Sequence, residues 1–471
     1  MVFSSAVFLL AFLPLVLLVY YAVPFRFKNP LLLLASLFFY AWGEPVYVLI
    51  MLFSTVFDYG NGLLLERLDR DGRQHLRRWV LALSVSVNLG LLGFFKYTGF
   101  LLDSLCALSG GRLFLPMAHI ALPIGISFYT FQTLSYTIDV YRREIPAQHR
   151  ILDFGMYICL FPQLIAGPIV KYRDVSSQLR RREISPSCAC AGMFRFVRGL
   201  AKKVLLANTF GAFWDEIAAQ GSERTAVTAL LGAAAYMLQI YFDFSGYSDM
   251  AIGIGRMLGF VFPENFDFPY ESRSVTEFWR RWHISLGSWF REYLYIPLGG
   301  NRRGLPRQIV NLLIVWLLTG LWHGAGWQFA VWGLYFFVLL VVEKVWLLRR
   351  LNSASAPVAH LYTLAAVLLS WVIFASSDLG HAGRYLLSLF GANGFADAAA
   401  WYYIRRCLPP LLLGAFLSVR YGLRKLRRPV VRLFGANRAF AFKAVLAAVL
   451  YILSLLSVIR SSYNPFLYFR F

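Results

Sequence analysis

The sequence predicts an all-α polytopic membrane protein, and three observations carry that prediction. Its 471 residues are 59% hydrophobic and 17% aromatic, far beyond the composition of a soluble domain. Several apolar runs approach the roughly 20 residues that cross a bilayer as a helix. The basic residues collect between those runs and alternate from one loop to the next, as orientation signals do. A formal net charge of +22 therefore points to anionic lipid and membrane orientation, and nucleic acid is not an expected partner.

The N-terminal stretch has no basic residue before its apolar run, while Arg26 and Lys28 follow it. That order describes a retained first span at 6 to 23 with an extracytoplasmic N-terminus. Further spans are expected at 30 to 42, 46 to 65, 79 to 101 and 120 to 140. Residues 151 to 170 are apolar enough to cross, yet Lys171, Arg173, Arg180, Arg181 and Arg182 follow them. Cations on the far side would break the alternation, and Pro162, Gly167 and Pro168 interrupt the run. A re-entrant segment lining protein or water satisfies both facts.

Residues 193 to 219 mix Arg195, Arg198, Lys202 and Lys203 with apolar side chains, the pattern of an interfacial helix with its cations toward lipid head groups. A span at 225 to 242 then leads into YFDFSGYSDMAIG. There Asp243 and Asp249 should pair with histidine or arginine, or cap a broken helix. Later spans are expected at 309 to 322, 326 to 343, 358 to 376 and 440 to 459. Lys344, Arg349 and Arg350, and the basic residues between 420 and 432, belong on the cytoplasmic side. Residues 377 to 407 are weakly patterned and predict an external loop with a short helix. No internal repeat is evident, so one integral membrane domain is expected over 1 to 471, with its motifs at 122 to 327.

The five cysteines are odd in number and scattered, which excludes a disulfide framework, and Cys188 with Cys190 lacks partners at zinc-ligand spacing. No metal site, no phosphate-binding glycine loop and no G-x-S-x-G elbow is present. What remains is histidine in apolar sequence, which is costly there and is retained where it faces a cavity or a partner.

His323 follows the uncharged run 309 to 322, which at about 1.5 Å per residue reaches about 21 Å, short of a hydrocarbon core of about 30 Å. A second apolar run returns from 326, and Gly324 and Gly326 supply backbone freedom for the break, placing His323 near a hairpin apex inside the membrane. Upstream, Ser274 and Glu277 have capping-box spacing and predict one helix to about Ile296. Trp279, His283, Leu286, Phe290 and Leu294 share a stripe of that helix, so His283 points into the fold. The charges around Glu277, Arg280 and Arg281 keep it from crossing lipid. Imidazole suits removal of a hydroxyl proton near neutral pH, and the chemistry this permits is acyl transfer to a hydroxyl. His323 and His283 are the catalytic candidates; Asp243, Asp249, Glu277, Trp279, Arg280 and Trp322 are candidates for supporting the site.

At these residues the chain resembles the membrane-bound O-acyltransferase family, in its alginate and cell-wall polysaccharide branch. The matching pieces are LPIGISFYTFQTLSYTIDVYR at 122 to 142, LFPQLIAGPIVKYRD at 160 to 174 and QIYFDFSGYSDMAIG at 239 to 253. They continue with ENFDFPY at 264 to 270, the stretch 274 to 304, GLWHGA at 320 to 325 and the tail NPFLYFRF. The resemblance implies a helical disc of about eleven spans, in keeping with the apolar runs, with re-entrant and interfacial helices between them. It implies funnels from both faces meeting at His323, with His283 at a second polar position.

For function, it implies that an acetyl group from a cytoplasmic thioester, acetyl-CoA in this branch, passes through the inner membrane to an extracytoplasmic polysaccharide such as alginate. No permanently bound cofactor is implied, and no residues for holding the donor are assigned. A serine-hydrolase-like acetyltransferase outside the membrane is the implied partner for delivery. Related readings are peptidoglycan O-acylation or D-alanyl transfer on the same fold. In a different class, a proton-coupled transporter would use His323 as a relay.

Overall fold

The computed structural model describes residues 1–110, 121–460 and 466–467, while the side chains at 222 and 421–437 lie outside that description, as does most of the NPFLYFRF tail. Among the described residues every regular element is helical. Seven helices among the described residues are long and apolar enough to cross a membrane: Val48–Arg70, Gln74–Leu108, Ala226–Met257, Gly304–His323, Trp327–Ser353, Ala356–Ala375 and Arg438–Arg460. The chain is a multi-pass membrane protein. It divides into two compact units, residues 1–193 with 251–263 and residues 194–250 with 264–471.

In the first unit a π-helical turn, Phe8–Phe12, leads into α1 (Leu13–Ala22) and α2 (Phe25–Ala41). Then follow α3 (Val48–Arg70), α4 (Gln74–Leu108) and α5 (Ile126–Tyr141). The polar residues on the inner faces of these helices bond to one another. Asp58, fully buried on α3, accepts hydrogen bonds from Ser84 at 2.6 Å and Asn88 at 2.7 Å on α4 and from Thr137 at 3.3 Å on α5. A buried carboxylate with several donors offsets much of its desolvation and fixes the rotation of three helices at once.

The segment expected to be re-entrant is two short helices, α6 (Ile151–Cys159) and α7 (Phe161–Leu164), followed by α8 (Tyr172–Arg180). The chain breaks at Leu160, ahead of Pro162, and the Phe161 amide freed there donates to Ser36 Oγ at 3.1 Å. Residues 153 to 170 are buried throughout, which is the condition on which irregular backbone is tolerated in such a protein.

Next come α9 (Pro186–Ala201), a π-turn and α10 (Asn208–Ala218), then α11 (Ala226–Met257), of which the second unit takes residues 194 to 250. Here α11 runs unbroken through Asp243 and Asp249, so neither carboxylate caps a broken helix. The expected single helix from Ser274 to Ile296 is divided. It forms α12 (Val275–Arg281) and α13 (Ile284–Phe290), with His283 between them at φ 46°, ψ 52°. The left-handed conformation is uncommon for a residue with a side chain and costs energy that the surroundings must offset. They do so by stitching: Ile284 N–H donates to Asn265 O and Asp267 N–H to Arg281 O, both at 3.0 Å.

Beyond these lie α14 (Gly304–His323), α15 (Trp327–Val342), α16 (Leu348–Ser353) and α17 (Ala356–Ala375). Residues 377 to 407, expected as a loop with one short helix, hold α18 (Leu379–Leu389) and the start of α19 (Ala398–Leu417). Asp378 and Asp397 cap these two helices by accepting from the amides of His381 and Ala400, a signal that weak hydrophobic periodicity obscured. The last helix is α20 (Arg420–Arg460).

Two readings of the hairpin around His323 need correction. The helix α14 begins at Gly304, and 20 residues span about 30 Å, so its length does not by itself stop His323 short of a surface. Gly324 and Gly326 are extended, at φ −166° and −168°, a conformation open to any residue. What requires glycine is space. A Cβ on Gly324 would collide with the Phe329 ring, and one on Gly320 or Gly333 with the backbone of the facing helix, so α14 and α15 touch main chain to main chain.

Candidate active site

The aromatic wall in the second unit is built by α12, α14, α15 and α17. Trp279 on α12 packs edge-on against Trp316 on α14, ring centroids 4.7 Å apart, and against Phe336 on α15 at 4.9 Å. Trp332 continues the wall toward Trp371 and Phe374 on α17. Both candidate histidines lie near the Trp322 ring. The Trp322 ring centroid is 5.1 Å from that of His323 and 6.0 Å from that of His283.

His323, the last residue of α14, is 5% exposed and enclosed by the Trp322, Trp332 and Phe374 rings at 5.1 to 5.3 Å. It lines a narrow cavity of about 20 Å³ together with Asp243, Phe244, Trp282, Phe374 and Leu467. Asp243 pairs with Lys203 Nζ at 2.5 Å and accepts the Leu467 backbone N–H at 2.8 Å. The structure thus brings His323, Trp322 and Asp243 together.

His283 is 1% exposed, and its Nδ1 lies 3.2 Å from Asn265 Oδ1. That oxygen also accepts from the Ser285 amide at 3.2 Å and the Ser285 hydroxyl at 2.9 Å, so it is an acceptor and Nδ1 must carry the proton. Nε2 is then the bare nitrogen, and it has no hydrogen-bond partner among the described residues. Burial lowers the pKa of this imidazole to about 3, so it is neutral at physiological pH. His283 lines a larger cavity, about 420 Å³, with Trp279, Arg280, Leu286, Phe290 and Trp316 among its walls. The predicted stripe is cut by the break at His283, yet Trp279, His283, Leu286 and Phe290 still share this cavity, because the turn redirects α13 along it.

Asp249 and Glu277 line neither cavity. Asp249 accepts from Arg195 at 3.0 Å, Arg198 at 2.9 Å and Lys202 at 2.8 Å, and Arg195 also bridges to Glu264. Of the cations expected to face lipid head groups from 193 to 219, Arg195, Lys202 and Lys203 turn inward to two buried carboxylates on α11, while Arg198 stays exposed as it reaches Asp249. Glu277 supports helix α12. Its amide donates to Ser274 Oγ at 3.0 Å, and its carboxylate accepts from Arg273 N–H at 2.9 Å and from Arg281 at 2.6 Å.

Three functional neighbours escaped the sequence reading. Asn265 fixes the His283 tautomer, and its signal lay in the ENFDFPY motif. Lys203 was assigned to the membrane surface, though an intramembrane carboxylate needs such a partner. Glu343, fully buried at the end of an apolar run, accepts from the amides of Val275 and Thr276 at 2.6 and 2.8 Å and so caps α12 from another helix. A lone acid in an apolar run was a legible signal.

The model of the membrane-bound O-acyltransferase family matches residues 126–377, which include both histidines and the whole aromatic wall. The chain is 40% identical to the probable alginate O-acetylase of Azotobacter vinelandii over the full length of both proteins. It is 45% identical to that of Pseudomonas aeruginosa over 83% of this chain and 75% of the relative. A peptidoglycan O-acetyltransferase of Helicobacter pylori is 32% identical over 100% of this chain and 98% of its own length. With a helical membrane architecture and a buried histidine pair inside the matched region, the chain belongs to the membrane-bound O-acyltransferase family, in the alginate O-acetylase branch, and is an O-acyltransferase.

Proposed function

We propose that this enzyme takes an acetyl group from cytoplasmic acetyl-CoA and passes it through the inner membrane for O-acetylation of an extracytoplasmic polysaccharide such as alginate. The observation that supports the reading is a pair of cavities lined by the two histidines, one by His323 with Asp243 and the other by His283, while both imidazole rings approach that of Trp322. In this scheme His323 removes the acceptor hydroxyl proton as the oxygen attacks the thioester carbonyl. It returns the proton to the sulfur as the tetrahedral intermediate collapses, so the acetyl ester and a free thiol are the products.

The larger cavity suits the donor. Its apolar walls, Leu286, Phe290 and Trp316, match a pantetheine arm, and Arg280 with Arg291 provides cations for phosphate. The neutral Nε2 of His283 accepts a hydrogen bond along that path and helps shape it. A serine-hydrolase-like transferase outside the membrane completes delivery to the polysaccharide, and the N-terminus lies on that outer side.

The test is transfer of label from acetyl-CoA by purified protein in proteoliposomes, with the wild type and His323→Ala compared at equal incorporation. Label release by the wild type and its loss in the variant support the scheme; equal activity removes His323 from the chemistry. Peptidoglycan is the second reading for the acceptor, favoured by full-length similarity to the Helicobacter pylori enzyme. Alginate and muramyl oligosaccharides offered in parallel separate the two.

A further inference from the structure

The first unit contains a pocket of about 850 Å³ whose lining includes Arg26, Arg150 and Arg180. They come from three separate segments: the first turn of α2, the residue preceding α6 and the last residue of α8. None of the three forms an ion pair among the described residues. The neighbouring acids are already engaged. Asp69 holds Arg77 and Arg143, Glu144 holds Arg142 and Arg173, and Glu66 holds His149 at 3.0 Å with Arg70. The acid within the pocket, Asp153, accepts Asn29 Nδ2 at 2.7 Å. Positive charge is therefore left in excess.

The floor is fixed rather than fluid. Asn29 also donates to Leu179 O at 2.9 Å and accepts from the buried Arg182 at 2.7 Å, which places a fourth guanidinium directly behind it. Gln148 donates to the Tyr172 hydroxyl at 2.8 Å and accepts the Arg150 amide at 3.0 Å. The nine-residue helix α6 opens at the pocket with no side-chain cap, its positive dipole end shared between the pocket and Asp153 in its first turn. Phe25, Ile151 and Leu152 on the rim are 39%, 40% and 52% exposed.

We propose that this pocket binds the phosphate of an anionic phospholipid, with the three arginines on the headgroup and the rim residues against its acyl chains. A soluble phosphate compound would use the arginines and leave the apolar rim in water; a lipid satisfies both. Basic pockets between helices on the cytoplasmic side bind anionic headgroups by this chemistry. The pocket shares no lining residue with the histidine cavities and involves none of the residues proposed for acyl transfer.

The test uses the full-length protein in detergent, titrated with phosphatidylglycerol or phosphatidylcholine and read by thermal shift and native mass spectrometry. The wild type is expected to retain phosphatidylglycerol selectively. Each of Arg26→Gln, Arg150→Gln and Arg180→Gln should weaken it about five-fold and the triple variant about a hundredfold, with lipid-free melting unchanged. If the triple variant does not fold, the single variants carry the measurement. Equal retention of the two lipids, or undiminished phosphatidylglycerol binding by the folded variants, overturns the proposal. So does displacement of the lipid by free coenzyme A, which would make the pocket a site for a soluble phosphate.

Discussion

His283 and His323 both lie near one tryptophan ring, that of Trp322, yet they are held in opposite ways. His283 sits on a strained turn, its Nδ1–H committed to Asn265, its other nitrogen facing a roomy cavity, and its charge suppressed by burial. His323 ends an unbroken helix, enclosed by aromatic rings, and shares a narrow cavity with a carboxylate. That carboxylate, Asp243, is paired with Lys203, and His323 itself stands at the C-terminal end of α14. The difference bears on the roles proposed for them. A ring locked in one neutral tautomer is suited to accepting a hydrogen bond, which fits the supporting role proposed for His283 and leaves the proposed proton transfer to His323.

The largest effect should come from His323. His323→Ala should lower acetyl transfer by about 10² to 10⁴, the usual contribution of a general base, while the protein still inserts and melts normally. Transfer within a few-fold of wild type at equal expression would erase the contrast between the histidines.

Next in size is the pair behind His323. Lys203→Met leaves Asp243 buried without its cation, and breaking a buried ion pair by removing one partner commonly costs about 3 to 5 kcal/mol. Thermal melting in detergent should register this, and Lys203→Met with Asp243→Asn together should recover part of it. A silent Lys203→Met would mean that Asp243 is held by the Leu467 amide and solvent instead.

How much of this was legible in the sequence follows from what each signal measures. Hydropathy found most of the spans, because transfer from water is a sum over a window and tolerates local error; α3, α4, α14 and α17 lie where apolar runs placed them, while the runs at 6 to 23, 30 to 42 and 120 to 140 form shorter helices. Periodicity failed at 274 to 296, because a break stitched by the backbone of Asn265 and Asp267 depends on residues distant in sequence. It failed again for Lys202 and Lys203. Amphipathic pattern reports which face is polar, and it cannot tell a head group from Asp243 or Asp249. The glycines around His323 were noticed for flexibility, while the packed helices require them for clearance.

A moderate effect is expected at His283. Asparagine tolerates the left-handed backbone well and can still donate toward Asn265, so His283→Asn removes mainly the Nε2 lone pair. Transfer should fall about tenfold, with some activity retained, since a lost neutral hydrogen bond is worth about 0.5 to 1.5 kcal/mol. Loss as deep as that of His323→Ala in folded protein would reverse the two roles.

The smallest effect is a slope. An exposed histidine in the unfolded chain titrates near 6.5, whereas His283 in the folded protein resists protonation down to about 3. Between those values the unfolded chain binds a proton that the folded chain refuses. This group's contribution therefore makes stability rise with pH across the interval and fall as acid is added, by at most about 1.4 kcal/mol per pH unit. Above 6.5 it contributes no slope. Melting temperatures of the purified protein from pH 7.5 to 5 should decline more steeply for the wild type than for His283→Asn, which has no proton to exclude. Parallel declines would mean that the folded ring accepts the proton, so that His283 is no longer distinguished from His323 by enforced neutrality.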